Sequence, residues 1–144
     1  IFRLDNMNKL WQIAHRMKKS MGGYWFARIF ELLNYIIYSN HIPADIQIGE
    51  NTSFEHHGLG CVVHSKVTIG ANCKIFQNVT IGAKWPEGSK IDGVPQIGNN
   101  VQIGCGAVII GNITIGDNVY IGANAVVLKD VPDNSIAIGV FRLR

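Results

Sequence analysis

The chain is short of charge, cysteine and proline, and each shortage narrows what it can be. Charged residues make up 16% of its 144 residues and hydrophobic ones 47%, which excludes a disordered chain and predicts one domain with a buried core. The net charge of +3 is too small to argue for a bulk electrostatic partner such as nucleic acid. Three cysteines, Cys61, Cys73 and Cys105, are an odd set without CxxC spacing. They imply no disulfide framework and no metal site, and fit a reducing cytoplasm. The longest apolar stretch, Tyr24 to Tyr38, is interrupted by Arg28, Glu31 and Asn34, so no membrane span is expected. No signal peptide is visible, which again reads as cytoplasmic. Charge is uneven, with Arg3, Lys9, Arg16, Lys18, Lys19 and Arg28 facing one acid, Asp5, over residues 3–28. The simplest reading is a solvated helix face.

What the chain does have is periodicity, of two kinds. Leu4, Met7, Leu10, Trp11, Ala14 and Met17 recur at helical steps. A Gly22-Gly23 break follows, then a second stripe of Phe26, Ile29, Phe30, Leu33, Ile36 and Ile37 that Pro43 ends. Residues 1–42 thus read as a helical hairpin whose apolar faces need a partner: each other, the rest of the chain, or another subunit. From there the period becomes six. Ile97, Ile103, Ile109, Ile115, Ile121 and Val127 are evenly spaced, as are Val63, Ile69, Ile75 and Ile81 upstream. Smaller residues sit two places earlier (Val67, Cys73, Val79, Val101, Ala107, Ile113, Val119, Ala125), and glycine often follows the aliphatic position.

A period of six fits a coil in which a short strand and a tight turn repeat together. The aliphatic residue points inward, and Gly and Asn supply the positive φ that corners demand. Three hexapeptides make one triangular turn of about 18 residues, predicting a mainly β chain with a β-helix over 43–144. Val63–Thr80, Ile97–Thr114 and Ile115–Pro132 are its coils, with an irregular one around Ile46, Ile48 and Phe54.

The period fails twice, and solenoids put functional insertions at such places. One break shifts the frame by three within Glu55-His56-His57-Gly58-Leu59-Gly60. The other lies between Ile81 and Ile97, sixteen residues where twelve would keep the frame, and holds the polar loop from Lys84 to Gly93. The first break concentrates imidazoles: His56, His57 and His64 are three of the five histidines. A histidine is a natural base for an attacking alcohol, but spacing alone leaves catalysis, a metal site and ordinary loop histidines open.

Ile48-Gly49 through Gly139-Val140 resembles the hexapeptide-repeat O-acetyltransferases, particularly their serine acetyltransferase-like branch. The run Phe54-Glu55-His56-His57-Gly58-Leu59-Gly60-Cys61-Val62-Val63-His64 is similar to the active-site stretch of that family. The run from Ile121-Gly122-Ala123-Asn124 to Lys129-Asp130-Val131-Pro132 is similar to its last coil. The resemblance implies a left-handed parallel β-helix. It also implies a homotrimer, or a pair of trimers, with acetyl-CoA as acyl donor between neighbouring subunits and no metal. By the same resemblance the catalytic base is His56, or His57 when the segment is counted back from Gly60. Gly104, Cys105, Gly122, Ala123 and Lys129 fall at CoA-contacting positions. The implied mechanism is direct transfer: the histidine takes the proton of a hydroxyl that attacks the thioester, and backbone N–H groups stabilise the oxyanion. Where serine acetyltransferases use an aspartate and a histidine to hold serine, this chain has His41 (or nearby Asp45) and Val94. The acceptor therefore stays open between serine and the hydroxyl of a sugar, as in capsular or exopolysaccharide O-acetyltransferases. Two rival classes share this fold. A zinc-dependent γ-class carbonic anhydrase requires widely separated histidines that this chain lacks. A non-catalytic trimeric scaffold is the alternative suggested by Phe141, which stands where relatives have proline.

Overall fold

The computed structural model describes residues 9–18, 24–84 and 93–139. Two helices, α1 (Lys9–Lys18) and α2 (Tyr24–Tyr38), precede a left-handed parallel β-helix of very short strands. One side of the prism stacks Gln47–Ile48, Thr68–Ile69, Gln96–Ile97 and Thr114–Ile115. A second stacks Ser53–Phe54, Lys74–Ile75, Gln102–Ile103, Tyr120–Ile121 and Ile136–Ala137. The third stacks Val62–Val63, Thr80–Gly82, Val108–Ile110 and Val126–Val127.

Every residue of the two hexapeptide series, large and small, is buried in one continuous core. Full burial of each aliphatic side chain contributes roughly 1.5–3 kcal/mol, so the six-residue spacing alone aligns the coils. Ile97 pairs with Ile115, and Ile103 with Ile121, eighteen residues on. Ile48 pairs with Ile69, twenty-one residues on, which places the first interruption at three extra residues. Ile69 pairs with Ile97, twenty-eight residues on. The second interruption is therefore ten extra residues, not four, because among the described residues Gln96–Ile97 is the next strand after Thr80–Gly82. Most of that loop, residues 85–92, lies outside the described residues. The last coil closes early, with Ile115 bridging Val131.

Asparagine and glycine both supply the positive φ expected at corners, Gly106 among them, but the glycines that follow the aliphatic position serve a second purpose. Asn51, Asn72, Asn78, Asn100, Asn118, Asn124 and Asn134 take the positive-φ corners. Gly70, Gly98, Gly104 and Gly116 are absent from that conformation and are required for space. A Cβ on Gly98 would lie 2.9 Å from the carbonyl carbon of Gly116, and one on Gly104 would lie 2.5 Å from the nitrogen of Ala123. Successive coils stack too closely there for any side chain.

The helices pack on the start of the prism. Trp11 joins the main core, its indole N–H donating to the Pro43 carbonyl at 3.3 Å, and Ala14 and Ala27 bury against Ala44. The second stripe behaves differently. Phe26, Ile29, Leu33, Ile36 and Ile37 are exposed, while Ala27 and Asn34 are buried. The α2 helix thus turns its small and polar side inward.

Gly98→Ala is expected to destabilise the protein by about 1–3 kcal/mol, the usual cost of overpacking, through a lower urea midpoint. Gly82→Ala, whose Cβ would meet nothing within 4 Å, is the control and should stay within about 0.5 kcal/mol of the parent.

Candidate active site

The histidine-bearing interruption is a turn of unusual handedness. His56 (φ 51°, ψ 39°) and His57 (φ 59°, ψ 18°) are both left-handed, and Gly58 follows at φ 69°. Each non-glycine residue in this conformation costs about 1–2 kcal/mol, so the surroundings must hold it. Within the turn, Leu59 N–H donates to the His56 carbonyl at 3.2 Å and Cys61 N–H to the Gly58 carbonyl at 3.0 Å. Gly60 N–H reaches back to the Tyr38 carbonyl at 3.1 Å, and Asn78 N–H donates to the Leu59 carbonyl at 2.8 Å. Behind it, Cys61 is fully buried, with its thiol 3.2 Å from the Phe76 carbonyl.

A polar relay supports the turn from α2. Asn34 donates its amide to Asn40 at 2.6 Å, and Asn40 donates to the His57 carbonyl at 3.2 Å. Both asparagines are buried. Gly58 packs so closely that a Cβ would lie 2.8 Å from Ile42 Cδ1 and 3.4 Å from the Asn40 amide nitrogen. In the sequence Asn34 stands only as an interruption of an apolar run. A polar residue in such a run is the signal for a buried hydrogen-bonding role, whereas nothing local marks Asn40.

The two imidazoles are exposed and point to different neighbours. The His57 ring lies 5.3 Å from the Tyr38 ring on α2, and the His56 ring lies 6.3 Å from Phe76. Glu55 accepts the Ser53 hydroxyl at 2.7 Å. His64 lies one strand further on, where its Nδ1 accepts the Lys66 N–H at 3.2 Å.

Register sets what lies beside the turn. Phe54 pairs with Ile75, Ile75 with Ile103 and Ile103 with Ile121. The residues just after these strands therefore stack along one edge of the prism: Glu55-His56 over Phe76-Gln77, then Gly104-Cys105, then Gly122-Ala123. Gly104 N–H donates to the Ile121 carbonyl at 2.8 Å and Asn124 N–H to the Cys105 carbonyl at 2.8 Å. At a coil spacing of about 4.8 Å, His56 and Ala123 stand roughly 14 Å apart along this edge. Ala123 is exposed, Cys105 is half-buried, and Gly104 and Gly122 are buried. Gln77, on the same edge, holds its side-chain oxygen buried without a hydrogen-bond partner among the described residues. Lys129 occupies another edge, following the strand Val126–Val127, and lines a cavity of about 390 Å³ with Pro132, Ser135, Ile136 and Ile138. Among the described residues, no group of three or more His, Cys, Asp or Glu side chains is placed to hold a metal ion.

Burial raises the Cys61 thiol to about 11 and also pushes the Cys73 thiol up. The protonated Cys61 thiol therefore favours the folded state below the ordinary thiol range, and that contribution is lost as pH rises from about 9 towards 11. Cys61 and Cys73 should resist iodoacetamide at pH 8 in the native protein while Cys105 reacts, as read by mass spectrometry. Asn40→Ala should lower stability by about 1–3 kcal/mol, because it removes two hydrogen bonds at a buried site, the one from Asn34 and the one to the His57 carbonyl. It should also speed hydrogen exchange at Gly60 and Cys61. Unchanged exchange there would dismiss the relay as a support for the turn.

The family model for bacterial transferase hexapeptide (six repeats) matches residues 95–129. The serine acetyltransferase of Staphylococcus xylosus is 41% identical over 128 residues, 89% of this chain and 57% of that protein. The serine acetyltransferase of Bacillus pumilus is 34% identical over 97% of this chain and 64% of that protein. The chain spans about three fifths of the length of these curated relatives. Among solved structures, Neisseria gonorrhoeae serine acetyltransferase in complex with serine is 32% identical, with a TM-score of 0.77 over 91% of this chain and 52% of that one. A serine acetyltransferase in complex with CoA is 30% identical, with a TM-score of 0.75 over 91% of this chain and 52% of that one. Repeat, fold and relatives agree: the chain carries the bacterial transferase hexapeptide repeat and resembles the hexapeptide-repeat O-acetyltransferases, particularly their serine acetyltransferase-like branch.

Proposed function

We propose that this chain is the catalytic part of an acetyl-CoA-dependent O-acetyltransferase that moves an acetyl group directly to a hydroxyl acceptor. The observation that carries this reading is the shared edge, on which an exposed histidine turn stands above a column of glycine and other small residues. His56 is the proposed base. Its ring lies on the Phe76 side, in line with Gln77, Cys105 and Ala123, whereas the His57 ring lies against Tyr38. His56 accepts the proton of the acceptor hydroxyl as its oxygen attacks the thioester carbonyl. The C–S bond then breaks, and the leaving thiolate recovers a proton from the imidazolium. No cysteine or serine nucleophile is needed, which agrees with buried, high-pKa Cys61 and Cys73.

The edge suits the acyl donor. Its small residues leave the backbone open to close approach, and the pantetheine arm of CoA carries amide N–H groups that the unpartnered Gln77 oxygen accepts. Cys105 and Ala123 would border that arm, with Gly104 and Gly122 keeping the backbone low beneath it. Lys129, on a different edge, would serve phosphate groups only at the far end of the ligand or from a neighbouring copy. A homotrimer, in which one copy supplies the second wall of the groove, is part of this proposal.

Serine is the first acceptor to test, since the named relatives are serine acetyltransferases. A sugar hydroxyl is the second reading, favoured by a specific observation. At the positions where the family holds serine with an aspartate and a histidine stand exposed His41, with the nearby Asp45 carboxylate paired to Lys18 at 3.2 Å, and buried apolar Val94.

Thiol release from acetyl-CoA, measured against L-serine, galactosides and glucosamine derivatives, should identify the acceptor. His56→Ala should lower kcat by about 10²–10⁴, the usual worth of a general base, with His57→Ala much milder. A silent His57 variant beside an active His56 variant would transfer the role to His57. Saturating CoA should also slow alkylation of Cys105 several-fold; equal rates with and without CoA would remove the ligand from this edge.

A further inference from the structure

The segment between α2 and the first coil is held from both sides. Five helix side chains converge on residues 40–45. Trp11 donates to the Pro43 carbonyl at 3.3 Å, and the His15 ring donates to the Ala44 carbonyl at 2.6 Å. Glu31 accepts the Ala44 N–H at 2.8 Å, Lys18 pairs with Asp45 at 3.2 Å, and Asn34 donates to Asn40 at 2.6 Å. On its other side the segment lies along the prism. His41 N–H donates to the Cys61 carbonyl at 2.8 Å, and Val63 N–H donates to the His41 carbonyl at 2.9 Å. The Asn40 amide donates to the His57 carbonyl at 3.2 Å. Residues 40–45 are thus a strap, clamped by the helices and bonded to the histidine turn at His57 and Cys61.

Packing alone does not set the position of the strap. A cavity of about 290 Å³ lies between it and α2, bordered by Lys18, Arg28, Glu31, His41, Asp45 and Ser65. Asn34 and Asn40 form part of its wall and are 2% and 1% exposed. Open volume of this size leaves the strap room to shift, so its polar bonds decide where it sits. The turn it holds is sensitive to that position. His56 and His57 are both left-handed, a conformation that surrounding contacts must impose. Withdrawing the Asn40 amide frees the His57 carbonyl from the strap, and the neighbouring His56 imidazole moves with the backbone. A reacting group displaced by about 1 Å loses about 10²-fold in rate.

We propose that Asn40, oriented by Asn34, is a positioning residue for the reaction. It fixes the His57 carbonyl and thereby aims the His56 imidazole at the edge where the thioester lies. The inference rests on the O-acetyltransferase reading of that edge. Asn40 acts through His57 and touches no reacting atom, and Asn34 acts through Asn40. The helices then serve catalysis without supplying a reacting group: they hold the strap, and the strap holds the turn.

The test is Asn40→Asp and Asn34→Asp in the full chain at pH 8. The first keeps the volume but puts a carboxylate, which cannot donate, against the His57 carbonyl. The second sets a carboxylate against the Asn40 oxygen and so turns the Asn40 amide away from His57. Each should lower kcat about ten- to hundredfold. KM for acetyl-CoA should stay within about twofold of the parent, because the donor lies along the edge below the turn. Asn118→Ala is the control: it breaks the corner bonds to Asn100 and Asn134 on another edge. It should lower the urea midpoint and keep the parent kcat. Parent kcat in both Asp variants, or an equal fall in Asn118→Ala, overturns the proposal. Nuclear magnetic resonance of the imidazoles supplies a measurement independent of turnover. The His56 ring signals should broaden in both Asp variants while those of His15 and His64 stay sharp, and unchanged His56 line widths also overturn the proposal. If the parent releases no thiol with any acceptor, the O-acetyltransferase reading fails, and the line widths alone decide whether Asn40 places His56.

Discussion

The tight stacking of one coil on the next is the constraint on which the rest of this molecule depends. Strands of two or three residues cannot persist alone. They persist here because each pairs in parallel register with the coil above and below while its aliphatic residue fills the prism. Stacking at the strand spacing leaves no room for side chains at Gly70, Gly98, Gly104 and Gly116. It also draws the corner asparagines into ladders, such as Asn100 to Asn118 at 3.1 Å and Asn118 to Asn134 at 3.1 Å. The same register turns residues eighteen, twenty-one or twenty-eight apart in sequence into neighbours. A functional edge in such a protein is a column through several coils.

Interruptions of the repeat become usable because the coils around them stay rigid. The histidine turn runs against its intrinsic backbone preference, and its hold comes from elements on both sides. The Tyr38 carbonyl takes the Gly60 N–H, the Leu59 carbonyl takes the Asn78 N–H, and the Asn34–Asn40 pair fixes the His57 carbonyl. Helix and β-helix are thereby coupled at the one place where exposed imidazoles gather. The coupling also separates the two histidines: the His57 carbonyl and ring are engaged by the helical side, leaving the His56 ring toward the Phe76 edge. The same α2 helix that steadies the turn from its inner face presents an apolar outer face.

Much of this was legible in the residues themselves. Ile97 to Val127 at intervals of six specified inward-facing positions and hence the coils, because only one orientation of each strand buries that series. The three-residue slip between Phe54 and Val63 located the histidine turn. Other parts were less visible. The sixteen residues from Ile81 to Ile97 are compatible with two frames, and only pairing of Ile69 with Ile97 shows that ten are extra. Helical spacing gave α2 its stripe but said nothing of which side would face the core.

The sequence by itself determined the repeat, the core and the placement of histidines at a break, since these follow from local period and burial. The tertiary structure decided what long-range register controls. It brought His56, Gln77, Cys105 and Ala123 onto one edge and set Lys129 on another. It gave most corners to asparagine and a few, such as Gly106, to glycine, reserved the close contacts for other glycines, and turned the apolar side of α2 outward. Each of these depends on contacts between residues far apart along the chain, and a period of six is the same whatever lies beside it in space.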